Sequence, residues 1–321
     1  MHQFRRTVGG VALALLIWGV LAGPVVLEAQ VTGPGPDGRW PLQPNSPGNH
    51  TLAPFMEGWY ENEDGSYSIS FGYLNANQDT LYIPVGENNF IEPAQFNGMQ
   101  PSVFFPRHER GIFTVQLSAA MSDTDVWWTL RKPNGEVSRV PGRVSSNAYQ
   151  LDWIPRPHGS VPPLVSFDSQ DEEGRGPPGL MAERTLTTSV GSPITLSIDG
   201  RDPSERDRSD FRFVENLPIR VSWTQLQGPG RVEYTRHESN PLPEVEEGSG
   251  RGGGGGSRRS PPGPQIIPLA EGYGTARVIA TFSAPGEYLM RARVDNFNGA
   301  DSSDGDQCCW TNGYVKVSVS P

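Results

Sequence analysis

The two cysteines of this 321-residue chain are neighbours, Cys308 and Cys309, and they follow directly on a run of oxygen-bearing side chains. In DNFNGADSSDGDQ, residues 295–307, Asp295, Asn298, Asp301, Asp304 and Asp306 recur at short, irregular intervals with glycines between them. Such a set suits calcium, a hard cation that takes about six to eight oxygens. It departs from an EF-hand, since no glutamate closes the loop and no helical pattern flanks it. The competing reading is a solvated acidic loop joining two strands. DGRDPSERDRSD, with Asp199, Asp202, Asp207 and Asp210, is a second acidic stretch. As for the cysteines, adjacent Cα atoms lie about 3.8 Å apart, whereas ordinary disulfides span about 4.4–6.8 Å. A Cys308–Cys309 bridge therefore closes a strained ring and stiffens the chain only locally. Intermolecular disulfides, thiolate metal binding, or one buried and one exposed thiol are the alternatives, and zinc would need two further ligands. The vicinal bridge is the expectation adopted.

Catalytic constellations are sparse. The histidines are His2, His50, His108, His158 and His237, in polar or proline-rich surroundings and outside any H-E-x-x-H motif. No G-x-S-x-G elbow occurs, and GRGGGGGS lacks the lysine and Ser/Thr of a phosphate loop. Glu57, Glu61, Glu63 and Asp64 crowd one hairpin, where acids solubilise more often than they form a glycosidase pair. No catalytic residue is assigned, and no cofactor other than calcium is implied.

The elements that must position these groups follow from the chain's punctuation. MHQFRR and the apolar run to Gly23, with Leu27-Glu28-Ala29 as a small-residue cleavage site, have the layout of a secretory signal peptide, residues 1–29. An uncleaved anchor is the alternative; with cleavage no membrane span remains. An oxidising compartment (periplasm, cell surface or medium) then agrees with a bridged cysteine pair. The formal net charge of −10 disfavours nucleic acid and anionic membranes as partners. Glycine and proline, 38 and 31 residues, are concentrated in stretches that mark boundaries. The division expected is a flexible segment 30–50, a β-sandwich module 51–155, a linker 156–182, and a second sandwich 183–321 with a Gly-rich insertion at 241–264.

Period-two alternation dominates both modules. In GSYSISFGYLN, Tyr67, Ile69, Phe71 and Tyr73 share one face after an Asp64-Gly65 hairpin turn. Trp127 and Trp128 fall on opposite faces of one strand, so one belongs to the core. In the second module Ile194, Leu196 and Ile198 point one way, as do Ile219, Val221 and Trp223. So do Ala276, Val278, Ala280 and Phe282; Tyr288, Met290, Ala292 and Val294; and Val315, Val317 and Val319. Strands at this spacing predict an all-β fold of two sandwiches.

VSWTQLQGPGRVEY, ATFSAPGEYLMRARVDN and the terminal VKVSV together resemble an immunoglobulin-like domain of the polycystic-kidney-disease (PKD) type, over about residues 185–321. That resemblance implies a core-strand role for Trp223 and a tyrosine-corner role for Tyr288, with Met290 where antibody domains carry their second cysteine. GSYSISFGYLNANQDTLYIPVGENNFIEP resembles an immunoglobulin- or fibronectin-like segment of bacterial extracellular surface proteins. The expectation is an exported, non-catalytic binding or structural module, its partner a protein or glycan of the envelope or exterior. A carbohydrate-binding module is the alternative, with Trp40, Trp59 and Trp310 as exposed stacking platforms; a hydrolase comes third.

Overall fold

The computed structural model describes residues 50–144, 147–151, 159–168, 172–211, 213–241, 262–296 and 309–321. The expected signal peptide, Trp40, the core of the Gly-rich insertion, and Asn298, Asp301, Asp304, Asp306 and Cys308 lie outside the described residues. What is described is a β protein with only short 3-10 turns besides its strands.

The first module carries β1 (Leu52–Glu61), β2 (Tyr67–Asn75), β3 (Leu81–Tyr82), β4 (Asn89–Glu92), β5 (Val103–Phe104), β6 (Arg107–Leu117), β7 (Val126–Arg131) and β8 (Val137–Gly142). One sheet runs β1-β2-β6 and another β4-β7-β8, with β3 and β5 paired separately. The β1–β2 hairpin turns at Asp64-Gly65, where the Asp64 carboxylate accepts the Ser66 amide at 2.9 Å. The core is aromatic. Phe71 stacks on Phe113 at 5.3 Å between centroids, and Trp128 stands edge-on to Phe113 at 5.1 Å. Trp128 donates its indole N–H to Asn89 Oδ1 at 3.0 Å, as a buried indole requires. Its neighbour Trp127 faces the other way, with the Arg139 guanidinium 4.1 Å from the ring centre. β2 was expected to be half-buried, yet Ser68 and Ser70 are buried as well as Ile69 and Phe71. Both faces of this strand are therefore enclosed.

The second module holds β9 (Leu164–Ser166), β10 (Gly174–Arg175), β11 (Leu180–Met181), β12 (Leu186–Ser189), β13 (Ile194–Arg201), β14 (Ile219–Gln227), β15 (Val232–Arg236), β16 (Ile266–Leu269), β17 (Tyr273–Phe282), β18 (Gly286–Asp295) and β19 (Trp310–Ser320). One sheet is ordered β10-β9-β13-β17-β15 and the other β11-β19-β18-β14-β16, with β12 parallel to β19. The order β9-β13-β17-β15 against β14-β18-β19 is that of an immunoglobulin-like sandwich. Trp223, Met290, Ala292, Val294 and Phe282 are fully buried between the sheets. The Tyr288 hydroxyl donates to the Ala284 carbonyl at 2.8 Å, which is tyrosine-corner geometry.

One expectation is corrected. Residues 156–182 are no bare linker: they supply β9, β10 and β11, and Val165 and Leu180 enter the second core. The free edge of β13 accepts β9, Gly200 pairing with Val165, so the sandwich takes its first strand from ahead of residue 183. Contacts also cross between the modules. Leu226, Leu289 and Tyr314 point away from the second core and are buried in the first module's cluster. Ser102 donates its amide to the Leu226 carbonyl at 2.9 Å, and the Tyr314 hydroxyl donates to the Ile112 carbonyl at 2.9 Å. At Gly111 the chain turns with φ +48, and a Cβ would stand 2.5 Å from Trp310 Cζ2. Only glycine fits that contact.

Because one apolar cluster spans both modules, the two should unfold together. Denaturation followed by tryptophan fluorescence and by far-ultraviolet dichroism should give one coincident transition. Leu289→Ala should lower its stability by about 2–5 kcal/mol. Two separated transitions, with only the second displaced, would show that the shared cluster does not couple them.

Candidate functional site

Among the described residues a cleft of about 750 Å³ lies where the two modules meet. The first module contributes Asp79, Thr80 and Tyr82, from the chain after β2, and Phe105 and Glu109 from β5–β6. The second contributes Trp223 and Gln225 from β14, Val232 and Tyr234 from β15, and Gln265 ahead of β16. β14 and β15 belong to opposite sheets, so both sheets of the sandwich contribute to the cleft. Its volume falls within the range of ligand pockets, about 300–1,000 Å³.

Two polar groups of this lining lack a partner. The Trp223 indole N–H and the Tyr234 hydroxyl are both buried and make no hydrogen bond. Burial alone pushes the Tyr234 phenol well above the ordinary tyrosine value. Buried donors are ordinarily satisfied, and leaving one unmade costs about 1–3 kcal/mol. Gln225, by contrast, is spent internally: its amide donates to the Gly230 carbonyl at 2.7 Å.

Below Glu109 lies a buried polar layer. Arg291 is almost wholly enclosed, with Nε donating to Asn312 Oδ1 at 2.9 Å and Nη1 3.6 Å from Glu109 Oε2. Burial lowers the Arg291 pKa, and the Glu109 charge opposes that shift. Asn312 donates to the Gly111 carbonyl at 2.6 Å and to the Pro177 carbonyl at 2.9 Å. Burial pushes the Tyr314 phenol up to about 12.

The residues singled out by sequence are distributed differently from expectation. Asp295 is fully buried and bound to cations of its own: Arg220 Nη2 lies 2.9 Å from Oδ1, and Arg293 Nε lies 3.4 Å from Oδ2. Its carboxylate is committed to guanidinium groups, so the calcium reading rests on Asn298, Asp301, Asp304 and Asp306. Cys309 is buried with φ +86, a conformation rare outside glycine. Its sulfur lies 3.4 Å from the Ser160 hydroxyl, and its carbonyl accepts the Asn296 amide at 3.1 Å. Both ends of the acidic loop are thus held together. In the second acidic stretch, Asp202 pairs with Arg206 at 2.8 Å and Asp207 accepts the Ser209 hydroxyl at 2.7 Å. Among the described residues no cluster of three His, Cys, Asp or Glu side chains could hold a metal.

Trp59 and Trp310 are no sugar platforms. Both are buried, Trp59 edge-on to Tyr67 and Trp310 against Gly111. His108 sits on β6, its ring edge-on to Phe55 at 4.6 Å and 3.8 Å from the buried Glu57 carboxylate. Burial, then the Arg110 charge, lowers its pKa. Arg110 also approaches Glu57, at 3.9 Å. The cleft itself was missed, because its residues come from five separate stretches.

No family model matches the chain, and no curated protein matches it. Among solved structures, it is similar to a PapD-like domain of human CEP192 at 10% identity, covering 55% of this chain and 95% of that one, TM-score 0.24. A Porphyromonas gingivalis protein of unknown function is similar at 9% identity, over 84% and 98% of the two chains, TM-score 0.24. The D00-D0 domain of intimin is similar at 10% identity, over 83% and 99%, TM-score 0.23. Such values assign neither family nor role. The strand order defines an all-β protein with an immunoglobulin-like sandwich in its second module. Among the described residues no helix is long and apolar enough to cross a membrane.

Two outcomes follow from these geometries. Asp295→Ala strands Arg220 and should destabilise the protein by about 3–5 kcal/mol. Melting curves should show the same loss in calcium and in chelator; a loss confined to calcium-loaded protein would make Asp295 an ion ligand. Second, an unfolded tyrosine ionises near pH 10, whereas folded Tyr314 holds its proton to about pH 12. That contribution to stability is complete below pH 10 and is lost as pH rises towards 12. Denaturant midpoints should fall across this window, and less steeply in Tyr314→Phe.

Proposed function

We propose that this chain is an exported, non-catalytic binding module, PKD-like in its second half, and that it holds its ligand in the cleft between the sandwiches. The observation that carries the reading is the pair of buried, unpartnered donors, Trp223 Nε1 and Tyr234 OH, in the lining of one ligand-sized cleft. A fold that leaves such groups unmade gives up stability, and ligand sites are where that concession is regained. The signal-peptide pattern at residues 1–29 and the net charge of −10 support a role outside the cytoplasm. A Cys308–Cys309 bridge belongs to the same proposal, fixing the loop end that Asn296 and Ser160 already hold. No catalytic residue is proposed: Glu57 is flanked by His108 and Arg110, and Glu109 faces Arg291.

The test is retention from envelope and culture-medium extracts on immobilised full chain. Tyr82, 46% exposed at the cleft, can be removed without disturbing the core. Tyr82→Ala should lose at least about tenfold of whatever the parent retains, about 1.4 kcal/mol, with an unchanged melting temperature. Equal retention by both proteins would place the binding surface elsewhere.

A further inference from the structure

We infer that the ligand of this cleft is a neutral oligosaccharide, an inference that rests on the cleft reading above. The lining mixes three kinds of polar group. Trp223 Nε1 and Arg231 only donate, Asp79 and Glu109 only accept, and Thr80, Tyr234 and Gln265 do both. A hydroxyl is the one common ligand group that donates and accepts at the same oxygen, so a polyhydroxylated molecule satisfies the whole set without leaving a member unmade. Charge argues against a polyanion. Two carboxylates and one guanidinium border the cleft, and no cluster of basic side chains stands there to hold sulfate or phosphate.

The apolar part of the lining fits the same ligand. Tyr82 offers a half-exposed ring in a lining that also includes Phe105 and Trp223. A sugar ring is itself two-sided, with C–H groups on its faces and hydroxyls at its rim. It can rest its faces on aromatic rings while its rim reaches polar side chains. An extended peptide is the main rival, because β15 is the last strand of its sheet. Peptides that add to a sheet edge bind chiefly through main-chain groups. The unpartnered donors here are instead side chains of Trp223 and Tyr234, turned inward from two different sheets. This favours the saccharide.

The experiment uses the full chain labelled with nitrogen-15, the Trp223 indole resonance being assigned from Trp223→Phe. Probes are neutral hexasaccharides of glucose, xylose, mannose and N-acetylglucosamine, a sulfated hexasaccharide, and a pool of extended decapeptides. At least one neutral sugar should shift the Trp223 indole signal saturably. Tyr234→Phe should weaken that binding by about three- to tenfold. The same change should leave the melting temperature level or raise it, because the hydroxyl removed has no partner in the protein. A structural hydroxyl would do the reverse, and a lower melting temperature with unchanged affinity would overturn the inference. If only peptides or the sulfated sugar move the indole signal, the ligand class is wrong and the cleft stands. If no probe moves it, the saccharide inference fails, and the cleft reading is decided by the retention of Tyr82→Ala.

Discussion

The outward face of β14, β18 and β19 carries Leu226, Leu289 and Tyr314 where a free sandwich would meet water, and the rest of the molecule is arranged around covering them. Antiparallel sheets in small sandwiches generally keep one face solvated. Here the first module takes the place of solvent over part of that face, and its aromatic core becomes continuous with the three residues. The cleft exists because this covering is partial. It lies between the first module's chain after β2 and strands β14 and β15 of the sandwich.

Covering a sheet face also encloses whatever polar side chains share its register. Arg291 alternates with Leu289 on β18, so it must be buried with it. An enclosed charge is tolerated only with partners. Glu109 supplies the opposite charge and Asn312 an acceptor, while Asn312 also ties Gly111 and Pro177 to β19. This layer selects one docking geometry, since a slide of the modules would separate Arg291 from Glu109 and Asn312 from Gly111. Apolar contact brings the modules together, and the arginine fixes their register.

The inward faces were legible in the sequence because each strand obeyed a period of two: Trp223, Met290 and Val317 all lie where alternation puts them. Docking was less legible for the same reason. Leu226, Leu289 and Tyr314 occupy outward registers, and an isolated apolar residue at such a position is common on any surface. Their meaning lies in convergence across three strands, which only the sheet order discloses. β9 was hidden by the proline- and glycine-rich composition of its surroundings, a signal for loops that short edge strands also tolerate. Asp295 was grouped with the acidic loop by proximity, but its own strand register places it opposite Arg220 on β14. Trp59 and Trp310 were expected to be exposed because large aromatics beside polar residues look available. Both are covered by segments distant in sequence.

β19 closes structures whose other halves are made far earlier in the chain. Its Asn312 reaches the carbonyl of Gly111, 201 residues away, and β11 and β12 both lie parallel along it. During synthesis the first module would therefore wait, its docking surface wet, through the whole making of the second. Neither the shared cluster nor the Arg291 layer can assemble until residues 310–314 arrive. Contacts of such sequence separation slow folding and prolong the exposure of unpaired strands. A chain built this way closes late, because the segment that locks its structure follows everything that it locks.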